Sequence, residues 1–242
     1  MRTGYWHRIN KYRHKIKSVA IVFFALTLLW YFADFQLSRR PATNTDAYRA
    51  LHGVYREQAN DLRIGGVLFH FPASYEPEPY SSSDDMREIF KGKAESVDVI
   101  VNMTSGHAMP PGDGGKGIRV RISTGGYEDD KKVEEYFRER RWASIKDLPE
   151  LGLKEYVKSG AAGGWGYATY ESLDPKIKTP RGGRFTFNCT ETSIDDTGEC
   201  RTYYQHAAGP IIEYYFPNRL LPHWKDLHTE VIVFIDSLIV RE

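Results

Sequence analysis

WGYATYES (165–172), GRFTFNCT (183–190), ECRTYYQH (199–206) and IIEYYFP (211–217) are four short runs rich in aromatic and β-branched residues, separated by Gly, Pro and polar segments. Spacing of this kind reads as consecutive strands joined by hairpins. Beyond the last run, after Pro222, residues Trp224, Leu227, Val231, Phe234, Ile235 and Leu238 keep an i, i+3, i+4, i+7 rhythm. That rhythm predicts an amphipathic helix laid over the strands, although the β-branched VIVFI within it also suits a strand. Working back towards the N-terminus, Val97, Val99 and Val101 alternate with polar residues, as do Ile118, Val120 and Ile122 with Arg119 and Arg121. Each pattern fits a strand of an antiparallel sheet with one wet face.

Upstream elements complete the reading. Tyr48, Leu51, Val54 and Tyr55 recur at helical spacing between residues 45 and 62, with Thr45 as N-cap and Gly65-Gly66 as the stop. VLFHFP reads as a strand ended by Pro72, and residues 77–83 as a surface loop. The run DDKKVEEYFRERRWA (129–143) predicts a helix burying Val133, Tyr136 and Phe137, and KDLPELGLKEYVK a second helix broken by Pro149 and Gly152. The fold class is therefore α+β: an antiparallel meander covered by helices, within one exported domain at 45–242.

Residues 19–37, VAIVFFALTLLWYFADFQL, carry no charge in their first fifteen positions. A helix of that length reaches roughly 28 Å, close to the hydrocarbon thickness of a bilayer. Arg2, Arg8, Lys11, Arg13, Lys15 and Lys17 precede it, and only Arg39 and Arg40 follow closely. This asymmetry predicts a single transmembrane anchor with a basic cytosolic tail at 1–18, a tether at 38–44 and the folded domain outside the cytosol. In a bacterium that is the inner membrane with the domain in the periplasm. A cleavable signal peptide shares the basic start, but the exit WYFADFQLSRRP offers only Ala33 as a small residue near a cleavage position.

Residues 1–41 hold eight of the 33 basic residues and one of the 32 acidic ones, so the remainder carries 25 and 31 and is mildly acidic. Clustered phosphate-binding charge is absent from such a balance, and nucleic acid is not an expected partner. Cys189 and Cys200, the two cysteines of the chain, flank a polar segment between two strand candidates. Export favours their oxidation to a disulfide across a hairpin; two unrelated buried thiols are the alternative.

Motifs for catalysis fail on context. The GxGxxG string at 112–117 is followed by a strand and not a helix, so it lacks the setting of a dinucleotide fingerprint. Ser105 has Met103 where a nucleophile elbow needs glycine, and His223 and His228 stand five apart, which places them as surface or edge residues and not as paired ligands. Asn102 and Asn188 each begin a glycosylation sequon, a signal frequent by chance. No catalytic set, metal site or cofactor is predicted. Two features suit protein binding: an acidic finger of Glu191, Asp195, Asp196 and Glu199 stiffened by the disulfide, and Trp165 as an aromatic anchor in a glycine-rich stretch. A solvated turn and a core tryptophan are the plain readings of the same residues.

From GGVLFHFPASYEP to YYFPNRLLPHWKDLHTEVIVFIDSLI, the order of elements resembles the PsbP-like α/β/α sandwich, and its closing strand-Trp-helix also resembles membrane-anchored periplasmic immunity proteins that protect bacteria against type VI secreted phospholipases. The second resemblance implies a protein that binds and neutralises a secreted antibacterial toxin, without chemistry of its own. An envelope hydrolase using Ser105 or His107 and a scaffold subunit of an envelope assembly are the rival expectations.

Overall fold

The computed structural model describes residues 23–31, 41–43, 45–82, 90–102, 107–108, 117–125, 130–158, 167–190 and 198–241, with the backbone alone at 107–108, 130–133, 158 and 167. Two compact units are separable, one comprising residues 1–41 and 83–88, the other residues 42–82 and 89–242. In the first, residues 23–31 are helical, with Phe23, Phe24, Leu29 and Trp30 exposed. Among the described residues no helix is long and apolar enough to cross a membrane. The remaining positions of the expected anchor, 19–22 and 32–37, lie outside them.

The second unit is built on a single large sheet. Its strands are β3 (Glu78–Tyr80), β4 (Ser96–Asn102), β5 (His107–Ala108), β6 (Ile118–Ser123), β7 (Trp142–Leu148), β8 (Leu153–Lys158), β9 (Tyr167–Ser172), β10 (Thr186–Thr190), β11 (Glu199–Gln205) and β12 (Ile211–Pro217). They run in the order β3-β4-β6-β12-β11-β10-β9-β8-β7, with β5 also on β4, and all pairs are antiparallel. The four aromatic runs thus form the predicted meander β9 to β12. The two valine and isoleucine alternations are neighbours, Val99 opposite Val120. A separate hairpin pairs β1 (Asn60–Ile64) with β2 (Val67–Phe71).

The inner face of the sheet is apolar because each strand turns one parity of its residues that way. Val97, Val99, Val101, Ile118, Val120, Ile122, Ile212, Phe187 and Phe216 are all buried there. The closing helix, α3 (Trp224–Leu238), covers them with the predicted stripe of Trp224, Leu227, Val231, Phe234, Ile235 and Leu238. Helix wins over strand here because this stripe has a sheet to bury against, at about 1.5–3 kcal/mol for each large side chain. Trp224 stacks on Phe185 with rings 5.6 Å apart and donates its indole N–H to the Leu151 carbonyl at 2.8 Å. The β1–β2 hairpin closes the other end, where Val240 N–H donates to the Leu68 carbonyl at 3.0 Å.

Several expectations need correction. The helix expected over 45–62 is only one turn and a half, α1 (Asp46–Leu51), capped by the Thr45 hydroxyl as predicted. Residues 60–64 are β1 instead, and Gly65-Gly66 is the two-residue hairpin turn, with φ of 57° and 86° that only glycine adopts freely. Residues 78–80, placed in a loop, form β3 at the sheet edge, where Pro79 removes no ladder donor that the sheet interior needs. KDLPELGLKEYVK is not a helix: it is the β7–β8 hairpin, turning through Pro149–Gly152, with Leu148 opposite Leu153 and Gly152 at φ 65°. The preceding helix, α2 (Asp130–Glu139), stops before Trp142, which starts β7.

Candidate functional site

Residues directly opposite one another in an antiparallel ladder point to the same face. Following that rule across the outer face gives one continuous row: Arg119 opposite Tyr215, Tyr215 opposite Arg201, Arg201 opposite Asn188, Asn188 opposite Thr169, and Thr169 opposite Tyr156. A second row lies beside it, with Asp98 opposite Arg121, Arg121 opposite Glu213 and Glu213 opposite Tyr203. The outer face is therefore a mosaic of guanidiniums, phenols and carboxylates.

Its charges are organised by register. Arg121 forks onto Asp98 with Nε and Nη2 at 2.7 and 2.8 Å from the two carboxylate oxygens. Glu213, the buried member of the second row, is paired with Arg201, and Arg121 approaches it at 4.0 Å. Tyr215 neighbours the same carboxylate; burial and its hydrogen bond to Glu213 push its phenol up to about 12, so it stays a neutral donor. The Tyr215 ring is also flanked by cations, Arg119 at 4.1 Å and Arg201 at 5.5 Å from its centre, each such contact contributing about 0.5–1 kcal/mol where water has access.

Helix α2 covers only one end of this face. Phe137 meets Tyr156 edge-on at 4.9 Å, Tyr136 and Phe137 both contact Trp142 at 5.6 Å, and Arg184 bridges Glu134 of α2 to Glu171 of β9. The aromatic cluster fixes the helix, and the gap between helix and strands is a groove of about 420 Å³. Tyr136, Arg140 and Trp142 form one wall; Thr169, Asn188, Thr190, Glu199, Arg201, Tyr203 and Tyr215 form the floor and the other. The volume falls within the range of sites that hold a small molecule or an anchoring side chain.

Polar groups within the groove are not equally committed. The Thr169 hydroxyl donates to Asn188 Oδ1 at 2.6 Å, which leaves the Asn188 amide N–H groups as the presented donors. Thr190 Oγ1 accepts the Glu199 N–H at 3.0 Å, holding the start of β11. Arg140 lies over the Tyr136 ring at 4.0 Å, and among the described residues it makes no ion pair.

Of the predicted site residues, Cys189 and Cys200 are cross-strand partners on the buried face and form the disulfide. Glu199 is exposed at the rim of the groove. Glu191, Asp195, Asp196 and Trp165 lie outside the described residues, as do Ser105 and the glycine string at 112–116; His107 is described in backbone only, paired to Asn102. His228 is not a surface residue. It is buried on α3, stacked on Phe185 at 3.7 Å, with the Tyr214 hydroxyl 3.1 Å from its Nδ1, and burial holds its pKa down to about 4. Among the described residues no three His, Cys, Asp or Glu side chains converge as metal ligands would.

Sequence reasoning passed over Arg140, Trp142, Asn188, Arg201, Tyr203 and Tyr215. The signal was the outward phase of ECRTYYQ and IIEYYFP, which reads as an ordinary wet face until the register aligns it and α2 walls one side.

Neither a protein-family model nor a curated protein sequence matches the chain. In fold it is similar to a solved immunity protein of the Stenotrophomonas maltophilia type IV secretion system, with a TM-score of 0.53 and 13% sequence identity, over 77% of this chain and 95% of that one.

Proposed function

We propose that this chain is a membrane-anchored protein-binding module that neutralises a secreted antibacterial toxin in the bacterial periplasm. The observation that carries the reading is the fold likeness to a secretion-system immunity protein, which extends over 95% of that chain. Three features of this chain support it. The sheet leaves a groove rich in tyrosine, tryptophan and arginine, the residue types that concentrate binding energy at protein interfaces. The disulfide suits an oxidising compartment. The helical stretch 23–31 exposes Phe23, Phe24, Leu29 and Trp30, as the middle of a span at 19–37 does when its solvent is lipid.

In this reading residues 1–18 face the cytosol, residues 19–37 hold the inner membrane and the domain from residue 45 works outside. The acidic finger of Glu191, Asp195, Asp196 and Glu199, with Trp165, supplies further partner contacts. A type VI secreted phospholipase is the first toxin class to test, because the closing strand-Trp-helix resembles immunity proteins against that class. The test is co-expression: an exported toxin encoded beside this chain is produced in a sensitive bacterial host with and without it. Restored growth is the expected result. Unchanged toxicity for every such neighbour contradicts the reading.

A further inference from the structure

The lining of the groove offers uncommitted donors. Arg49, Arg56, Arg121, Arg184 and Arg201 each meet a carboxylate of this chain. Arg140 instead sits 4.0 Å from the centre of the Tyr136 ring, its fork of donors uncommitted among the described residues. Within the same lining the Asn188 amide is oriented by Thr169 so that its N–H groups are the ones on offer. A guanidinium and a primary amide together present planar donors, which match a carboxylate better than a spherical ion.

The rest of the lining narrows the choice. Tyr136, Trp142, Tyr203 and Tyr215 supply aromatic walls, which suit an apolar or aromatic neighbour of the bound anion. Glu199 lies in the lining too, so a polyanion such as a phosphate chain or nucleic acid meets a repelling charge. The groove lies on the outer face between strands and helix, with the exposed Glu199 in its lining, so a side chain projecting from another protein surface can reach it. From these features we infer that the groove is the receptor for a single Asp or Glu side chain, flanked by an aromatic residue, on the protein that this chain binds. The inference rests on the toxin-binding reading and gives it a contact: Arg140 with Asn188 takes the partner's carboxylate.

The experiment uses the full chain in detergent micelles, labelled with ¹⁵N. Probes are acetyl-Phe-Glu-amide, acetyl-Phe-Gln-amide and a chitin trisaccharide, and the readouts are the Asn188 side-chain amide and Trp142 indole resonances. The acidic dipeptide is expected to move both signals and to bind about tenfold more tightly than the glutamine dipeptide, the worth of one charge-assisted hydrogen-bonded pair. Arg140→Gln should abolish that preference while the Trp224 indole signal stays in place, which reports an intact core. Should Arg140→Gln shift the Trp224 signal, Arg140→Lys, which keeps charge without the planar fork, is expected to bind the acidic dipeptide more weakly than the parent. Equal affinity for both dipeptides, no perturbation of the groove, a preference that survives loss of Arg140, or movement with the trisaccharide alone each overturns the inference. Protection against the toxin is read separately. If protection persists in Arg140→Gln while the dipeptides fail, the groove assignment falls and the toxin reading stands; if the parent gives no protection, the toxin reading falls whatever the dipeptides do.

Discussion

Glu213, almost wholly buried, is paired with Arg201 diagonally across the β11–β12 ladder, while Arg121 approaches the same carboxylate at 4.0 Å from β6. Two cations around one buried acid tie β6, β11 and β12 together beneath the groove residues Arg201 and Tyr215. Removing Arg201 leaves that acid without its close cation, held by the Tyr215 phenol and by Arg121 at 4.0 Å, whereas Arg119 stands exposed on the Tyr215 ring and stabilises little. Arg201→Met should therefore destabilise the domain by about 1–3 kcal/mol and Arg119→Met by less than about 1 kcal/mol, read from urea unfolding midpoints. Equal effects would show that the buried carboxylate does not depend on the pair.

Beneath the sheet, Trp224 joins the closing helix to the β7–β8 turn through its indole bond to Leu151 and its stack on Phe185. Trp224→Ala should cost about 3–5 kcal/mol, and Trp224→Phe, which keeps an aromatic ring against Phe185 but loses the indole donor and part of the volume, about 1–3 kcal/mol. Thermal unfolding of the three proteins measures both; a neutral Trp224→Phe would show that water satisfies Leu151 without loss.

The Cys189–Cys200 bridge closes a loop with a sequence separation of 11 between strands that are already paired. Constraining the unfolded chain in this way contributes roughly 2–3 kcal/mol. Reductant, or the double change Cys189→Ala with Cys200→Ala, is expected to lower the unfolding midpoint by that amount. An unchanged midpoint under reducing conditions counts against a stabilising disulfide.

His228 makes a prediction with a sign. Burial lowers its folded-state pKa to about 4 from an ordinary value of 6.5, so between these values the unfolded chain binds a proton that the folded one refuses. Its contribution to stability is present above pH 6.5 and is lost as pH falls towards 4, by about 3 kcal/mol over that window. His52, also lowered chiefly by burial, acts in the same direction. Urea midpoints measured from pH 7 to 4 should fall steeply for the parent and less steeply for His228→Phe; parallel curves would show that His228 is not the group responsible.

The fold was legible where one face is apolar and the other wet. β4, β6 and the meander β9 to β12 announce themselves by alternation, and α3 by its stripe, because each has a core to bury against. β7 does not alternate: all residues from Ala143 to Asp147 are exposed, so WASIKDL at the sheet edge carries no period and the flanking KDLPELGL invites a helix. α1 is shorter than its pattern because Val54 and Leu62 are buried without lying on its helix. His228 looked like a surface residue because a single imidazole on a helix does not reveal the Phe185 ring above it. The groove was illegible for a related reason. Glu199, Arg201 and Tyr203 read as a solvated phase, and only the cross-strand register with Tyr215 and Asn188, together with the approach of α2, converts that phase into a site.

Growth protection by groove variants tests the central claim most directly. A sensitive host producing the exported toxin encoded beside this chain is scored for survival with the parent, with Arg140→Gln, with Tyr203→Ala, and with Ile100→Ala on the outer face away from the groove. Protection by the parent and by Ile100→Ala, with survival lowered about tenfold or more in the two groove variants at equal protein levels, is the result predicted from loss of one charge-assisted contact or one aromatic anchor. Full protection by both groove variants, or none by the parent against any neighbouring toxin, would contradict the account.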